Sequence, residues 1–164
     1  MRIFFSFMWI FLPVFLFAQE DLEQSRDGLV YEESGRALLF VNVIEPFAHF
    51  NDNDCEVGAN FQPASFPSGN QQYKNELERY ILGYIDRERY ALRGPFYLTL
   101  DLGAEGNIRE IILGPKVQNS EYFFNDMRFV VKRIKEKWIP AKCGNENTDS
   151  LVRIRINFNS DVAE

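Results

Sequence analysis

The stretch GPFYLTLDLGAEGNIREIIL, residues 94–113, decides the fold of this chain. Large apolar side chains recur at every second position across 96–102, which is the period of a strand with one buried face. Residues 103–107 have the composition of a turn, and apolar side chains return across 108–113. The pattern therefore predicts an antiparallel β-hairpin with one face against a core.

An amphipathic helix is predicted on each side of the hairpin. Before the hairpin, apolar residues recur at the i, i+4, i+7, i+8 spacing of one helical face, and Ser68 or Asn70 can cap the start. These residues are Tyr73, Leu77, Tyr80, Ile81, Tyr84 and Ile85. After the hairpin a second helix is predicted from about 120 to 138, before Pro140. We interpret its basic side as a solvated surface near the helix C-terminus, with a phosphate or membrane contact as the alternative.

Strands are predicted outside both helices. Residues 37–44 are rich in large apolar and β-branched side chains and end before Pro46, while 151–158 alternate apolar with polar side chains. The order strand, helix, hairpin, helix, strand predicts an α+β fold in which two helices pack on one face of a small antiparallel sheet. The strand at 37–44 and a long polar loop after it are additions to that unit.

The first 18 residues predict export. One positive charge precedes an apolar run, and Ala18 is a small residue suited to a cleavage site, as in a secretory signal peptide. We therefore expect a periplasmic protein, with an inner-membrane anchor facing the periplasm as the alternative. The chain divides into a signal peptide (1–18), a flexible leader (19–35), an N-terminal strand and loop extension (36–65) and a domain (66–160).

The composition argues against several classes of function. There are 18 basic and 24 acidic residues, and the net charge of -6 disfavours a nucleic-acid partner. The single histidine, His49, leaves little for histidine-based catalysis or metal binding, and no phosphate-binding glycine loop occurs. The run NDNDCE at 51–56 has the oxygen ligands that calcium prefers but lacks an EF-hand pattern, so we interpret it as a polar loop. We expect no catalytic residues, no metal and no cofactor.

The two cysteines predict a disulfide. An exported protein folds in an oxidising compartment, where Cys55 and Cys143 can pair because the chain has no other cysteine. Two free thiols are the alternative. The bond would tie the long polar loop to the turn before the last strand.

Four segments, in order, resemble the C-terminal domain of TonB-type proteins, in the form found in exported Bacteroidetes proteins. FPSG at 66–69 resembles the FPGG entry to that family's first helix, and residues 94–101 with GNI at 106–108 resemble its hairpin, G-x-V-x-V-x-F-x-I-D-x-x-G-x-V. WIPA at 138–141 resembles the W-x-P-A/G after its second helix, and 152–158 resembles its closing strand. The chain departs from the family at Ser68, which stands where FPGG has glycine, and it has no Pro-rich spacer before the domain.

The resemblance implies a protein–protein interaction module of the cell envelope, linked to TonB-dependent transport across the membrane. Such a domain receives an extended peptide of an envelope protein or outer-membrane receptor by edge-strand addition. The closing strand would then be the sheet edge, with Leu151, Arg153, Arg155 and Asn157 beside the peptide. A homodimer through sheet edges is the other partner that this arrangement allows. The alternative function is a small exported enzyme or ligand-binding protein on a similar α+β scaffold.

Overall fold

The structure is a computed structural model that describes residues 29–32, 37–51, 55, 60–87 and 89–162. The signal peptide expected at 1–18 and most of the leader lie outside these residues. The described elements are β1 (Leu29–Glu32), β2 (Ala37–Phe50), β3 (Phe61–Gln62), α1 (Asn70–Tyr84), β4 (Tyr90–Leu102), β5 (Ile108–Gly114), α2 (Ser120–Val131), β6 (Ala141–Cys143), β7 (Glu146–Thr148) and β8 (Ser150–Val162).

The main sheet has five antiparallel strands. The hairpin strand β4 pairs with β8 on one side, while β1 and β5 share its other side. Strand β8 pairs in turn with β2, so that β2 forms one edge of the sheet and β1 and β5 form the other. The expected α+β architecture with an antiparallel sheet and two helices is confirmed.

One face of this sheet carries the core. Alternate residues of the strands, such as Leu98 and Ile154, are fully buried in one cluster with the apolar stripes of the helices, such as Leu77 and Met127. The side chains between them point to the opposite face, which the helices leave open and where Tyr97 is 40% exposed. This inside-outside alternation is what the period of two in the sequence predicts.

The closing strand is not at an edge, and the prediction that it forms one is wrong. Strand β8 pairs with β4 along 150–159 and with β2 along most of 151–162. The expected edge residues therefore have a neighbouring strand on each side; Arg155, for example, lies between Tyr97 and Ile44. The reason is that β2, expected as an extension outside the domain, is an integral strand of the same sheet and covers the edge that β8 would have offered.

Three boundaries also differ from the sequence-based expectations. Residues 29–32 form a strand within the segment expected to be a flexible leader. Strand β2 continues past Pro46 to Phe50, with a cis peptide bond before the proline and a register shift between Ile44 and Ala48. Helix α2 ends at Val131 rather than near Trp138.

The early end of α2 lets the following segment bind the hairpin turn. The Trp138 amide donates to the Gly106 carbonyl over 3.1 Å, and the Trp138 ring is buried against Phe66 and Tyr73. At Gly106 the backbone has φ +76, and an added Cβ would lie 1.9 Å from the Trp138 carbonyl oxygen. Only glycine satisfies both conditions, so Gly106 fixes the turn of the hairpin against the core.

A second, three-stranded sheet of order β3-β6-β7 lies where the sequence predicts only loops. The Cys55–Cys143 disulfide is present, with Cα atoms 5.9 Å apart, and it ties the polar loop to β6 as expected. Ser65 and Ile139 exchange backbone hydrogen bonds beside this sheet, which joins the start of the α1 region to the segment after α2.

Candidate functional site

The four residues expected to bind a peptide lie together on the open face of the sheet. Arg153 lies over the Phe50 ring at 5.0 Å and donates to Thr99 Oγ1, while Arg155 donates to Asn157 Oδ1 over 3.1 Å. Their backbone groups, like those of Leu151, belong to strand ladders on both sides. The side chains can contact a molecule on this face, but the backbone of β8 cannot accept another strand.

The edge formed by β5 has backbone groups that another strand could pair with, which β8 lacks. Among the described residues β5 pairs only with β4, and the Arg128 Nε donates to the Ile111 carbonyl oxygen over 3.3 Å. That carbonyl therefore points away from β4. Because backbone groups alternate in direction along an antiparallel strand, the N–H and C=O groups of Ile111 and Leu113 face outward, whereas those of Ile112 face β4.

An open groove runs along helix α2, bounded in part by this edge and in part by the segment that follows β5. It has two adjoining parts, of about 350 Å³ and about 260 Å³, and both include Arg128 in their walls. The larger part lies toward the start of α2, beside Val117 and Phe124, and the smaller part lies along β5. A strand edge with a helix alongside is the arrangement in which PDZ and PTB domains receive an extended peptide.

Cations occur along the whole groove. Lys116 lies in the wall of the larger part, Lys132 in that of the smaller part and Arg128 at their junction, accompanied by Glu110 and Glu121. The groove is thus slightly positive in a chain whose net charge is -6. Such a local reversal of sign favours a partner segment with acidic side chains.

Arg109 is a fourth cation, and it is already paired. Its guanidinium donates to Asp101 Oδ1 over 2.6 Å and also bonds Asp149, which in turn accepts from the Ala104 amide. Hydrogen bonds to Asp101 and then Asp149 raise the pKa of Arg109 above its ordinary value. This cluster holds the hairpin turn to the start of β8 and so stabilises the end of the groove.

The sequence contains a signal for the groove in the basic side of the second helix. That side includes Arg128 and Lys132, and its pattern alone favours a solvated surface. What periodicity cannot show is that these side chains lie beside an unpaired strand edge. Lys116 follows the Gly114–Pro115 cis peptide bond, and nothing in its local sequence suggested a site.

Another surface cluster joins the two helices. The Arg133 guanidinium lies 5.2 Å from the Tyr84 ring centre and 4.3 Å from that of Phe129, and the two rings contact each other edge-on. These cation–π and ring contacts join α1 to α2 and its C-terminal end. A structural role therefore accounts for the cluster.

The described residues offer little for metal or histidine chemistry. They contain no group of three or more His, Cys, Asp or Glu side chains placed to hold a metal ion. Asp52, Asn53, Asp54 and Glu56 of the NDNDCE run lie outside the described residues. Burial lowers the pKa of His49 below its ordinary value, and its Nδ1 atom is buried without a hydrogen-bond partner. Of the helices described, none is long and apolar enough to cross a membrane.

No family model, no curated protein and no solved structure matches this chain. The resemblance to TonB-type C-terminal domains therefore stays a prediction that depends on the four sequence segments alone. The geometry of the groove at β5 does not depend on that resemblance.

Proposed function

We propose that the protein is an exported interaction module that binds an extended peptide of an envelope partner by edge-strand addition at β5. The observation that carries the proposal is the Ile111 carbonyl, which points away from β4 and is bonded only by a side chain, that of Arg128. A peptide strand added here would exchange backbone hydrogen bonds with Ile111 and Leu113.

The groove would also select the side chains of the peptide. Successive side chains of an added strand alternate between the helix side and the open face of the sheet. Those on the helix side would lie near Arg128 and Lys132, which favours acidic residues, whereas those on the open face would lie near Ile112, which is 45% exposed. A segment alternating acidic and apolar residues fits this arrangement.

Export and a role in TonB-dependent transport belong to the same proposal. The Cys55–Cys143 disulfide supports export, because disulfides persist in oxidising compartments such as the periplasm. The four sequence segments that resemble TonB-type domains support the link to transport. The alternative of a small enzyme or ligand-binding protein has no specific observation in its favour among the described residues.

The test is a titration with a ten-residue peptide that alternates Glu and Val, compared with the same peptide carrying Gln for Glu. We expect the acidic peptide to bind more tightly, and Arg128→Glu to weaken its binding about tenfold or more. The matched control is Arg153→Glu, because Arg153 is an exposed arginine on the open face, on a strand paired on both sides. Equal weakening by both variants would contradict the β5 site.

Amide hydrogen exchange supplies an internal control within one strand. On peptide binding, the amides of Ile111 and Leu113 should become protected, whereas that of Ile112, which already faces β4, should change little. Protection confined to β8, or no change in β5, would show that the peptide binds elsewhere.

A further inference from the structure

The opposite edge of the sheet has a different character from the β5 edge. Strand β2 pairs only with β8 among the described residues, and its first half reads ALLFVNVI across 37–44. This half carries no charge and no proline. Edge strands usually contain such residues, since a charge or a proline prevents another chain from pairing with the unused backbone groups.

Both faces of the segment 38–41 are apolar, although the strand lies at an edge. Leu39 and Val43 are buried under the helices at 6% and 0% exposure. On the opposite face, Leu38 is 62% exposed and Phe40 is 54% exposed, the largest exposures among the aliphatic side chains and among the phenylalanines of the described residues. A strand with two apolar faces is typical of the interior of a sheet.

A contact from helix α1 shows how much of this edge is free. The Val43 amide donates to Glu78 Oε1 over 2.8 Å, so this amide points away from β8 and is already satisfied. Alternation along the strand then turns the backbone groups of Ala37, Leu39 and Val41 outward as well. The available segment is therefore 37–41, which ends short of the Val43 amide that Glu78 already occupies.

We propose that the β2 edge pairs with the β2 edge of a second copy of this chain, antiparallel about a two-fold axis at Leu39. In that register Leu39 exchanges hydrogen bonds with its own symmetry mate, and Ala37 pairs with Val41 of the other copy. Leu38 then lies opposite Phe40 of the other copy, at a non-hydrogen-bonded position where side chains approach most closely. Because of the two-fold axis, this apolar pair occurs twice in the dimer.

A second copy fits this edge better than the other occupants. The segment has no charge, so two copies of a chain with net charge -6 can meet here without placing like charges opposite one another. The two-fold axis puts the two α1 helices at opposite ends of the shared ladder. Strand β1, the first described element, lies at the other edge of the sheet, about 14 Å away, because β4 and β8 lie between β1 and β2.

The pairing leaves the β5 groove open, because the two edges lie on opposite sides of the sheet. A dimer would present two grooves related by the two-fold axis. Since the shared ladder is short, its interface belongs to the small class below about 1,200 Å², and the dimer should dissociate on dilution.

Sedimentation of the purified protein over a range of concentrations tests the proposal. We expect a monomer–dimer equilibrium whose dissociation constant rises about tenfold or more in Leu38→Lys, which loses two cross-strand apolar pairs and adds charge. The matched control is Tyr97→Lys, on the same open face but on an interior strand, which should change the constant less than about twofold. A monomer at every concentration, or equal effects of the two variants, would overturn the proposal.

Thiol cross-linking tests the register independently. The two native cysteines are bonded to each other, so added cysteines are the only free thiols. A mixture of Leu38→Cys and Phe40→Cys chains should form a covalent dimer faster than either variant alone, because the two positions face each other with Cα atoms about 4.5 Å apart. Equal rates in all three samples, or no cross-link, would exclude this pairing.

Discussion

The two edges of the main sheet are built differently, although both leave backbone groups unpaired by any strand. The β5 edge lies along a groove with Arg128, Lys132 and Lys116, and a side chain already donates to one of its carbonyls. The β2 edge offers a neutral strip that is apolar on both faces. A charged groove selects a partner by its side chains, whereas a neutral strip suits a strand like itself.

The largest expected effect should fall more heavily on the β5 side than on the β2 side. Gly106→Ala should lower the free energy of unfolding by about 3–5 kcal/mol, since it adds a clash with the Trp138 carbonyl to the strain of a positive φ. Gly144→Ala is the matched control, because Gly144 also has positive φ but no atom near an added Cβ, and it should cost about 1 kcal/mol. Denaturant unfolding measures both variants.

Amide exchange then shows where Gly106→Ala acts. The protection of β5 should fall further than that of the β2–β8 ladder, because the altered turn connects β4 to β5. Equal losses of stability in the two glycine variants would contradict the role assigned to the contact between Gly106 and Trp138.

The next largest effect, from loss of the disulfide, should leave binding at both edges unchanged. Replacing Cys55 and Cys143 together by serine should lower the free energy of unfolding by about 2–4 kcal/mol, because the disulfide closes a long loop in the unfolded chain. The bond anchors the small sheet and not the main one. Peptide affinity and the dimer constant should therefore be unchanged at temperatures where the variant stays folded; a change in either would link the small sheet to an edge.

Interactions at the two edges should differ in their dependence on salt. Raising sodium chloride from about 50 to about 500 mM should weaken binding of the acidic peptide about tenfold, because screening reduces its attraction to the groove cations. The dimer constant should move less than about twofold over the same range, since the β2 strip carries no charge. A dimer as salt-sensitive as the peptide complex would remove the distinction between the edges.

The smallest effect concerns the core that both edges share. The Tyr73 hydroxyl is buried without a hydrogen-bond partner, so Tyr73→Phe should raise the free energy of unfolding by about 1 kcal/mol. Neither edge should change its affinity. The exposed Tyr84 supplies the control, Tyr84→Phe, which should leave stability at neutral pH within about 0.5 kcal/mol of the original.

The same residue predicts a dependence on pH. Burial, followed by the charge of Glu76, raises the pKa of Tyr73 above its ordinary value of 10.0. The folded state thus keeps the proton that the unfolded state releases near pH 10, and the stabilisation is present below that pH and lost as the pH rises above it. The loss from this group should approach about 1.4 kcal/mol per pH unit. In Tyr73→Phe the free energy of unfolding should fall less steeply with pH above pH 10. Identical pH profiles of stability in the variant and the original protein would contradict this assignment.

The sequence predicts the helices and strands of this fold better than it predicts which strands lie side by side in the sheet. The alternation at 94–113 and the helical stripe beginning at Tyr73 are local patterns, and both are confirmed as β4–β5 and α1. The alternation in β8 also predicts which side chains face the core. It cannot show which strands lie beside β8, because that depends on pairing with β2, far away in the chain.

The candidate site was harder to predict for the same reason. The arginines of β8 stand out in the sequence, but their strand is interior, whereas Arg128 is one of several basic residues on its helix and does not stand out. The edge becomes a groove because α2 packs beside β5 and places Arg128 next to the Ile111 carbonyl. A contact between a helix and a strand edge leaves no periodic signal in the sequence.

The central position of β8 also bears on how the protein folds. This strand follows all the other described strands along the chain, yet it joins β2 to β4, so the sheet cannot close until β8 has been synthesised. Ala37 pairs with Val162, which is far away in the chain, and such distant pairings make folding slow. Until then the neutral β2 segment has no neighbouring strand, and an unpaired apolar strand is prone to aggregation. Proteolytic loss of β8 would leave β2 and β5 without a common sheet and end both interactions at once.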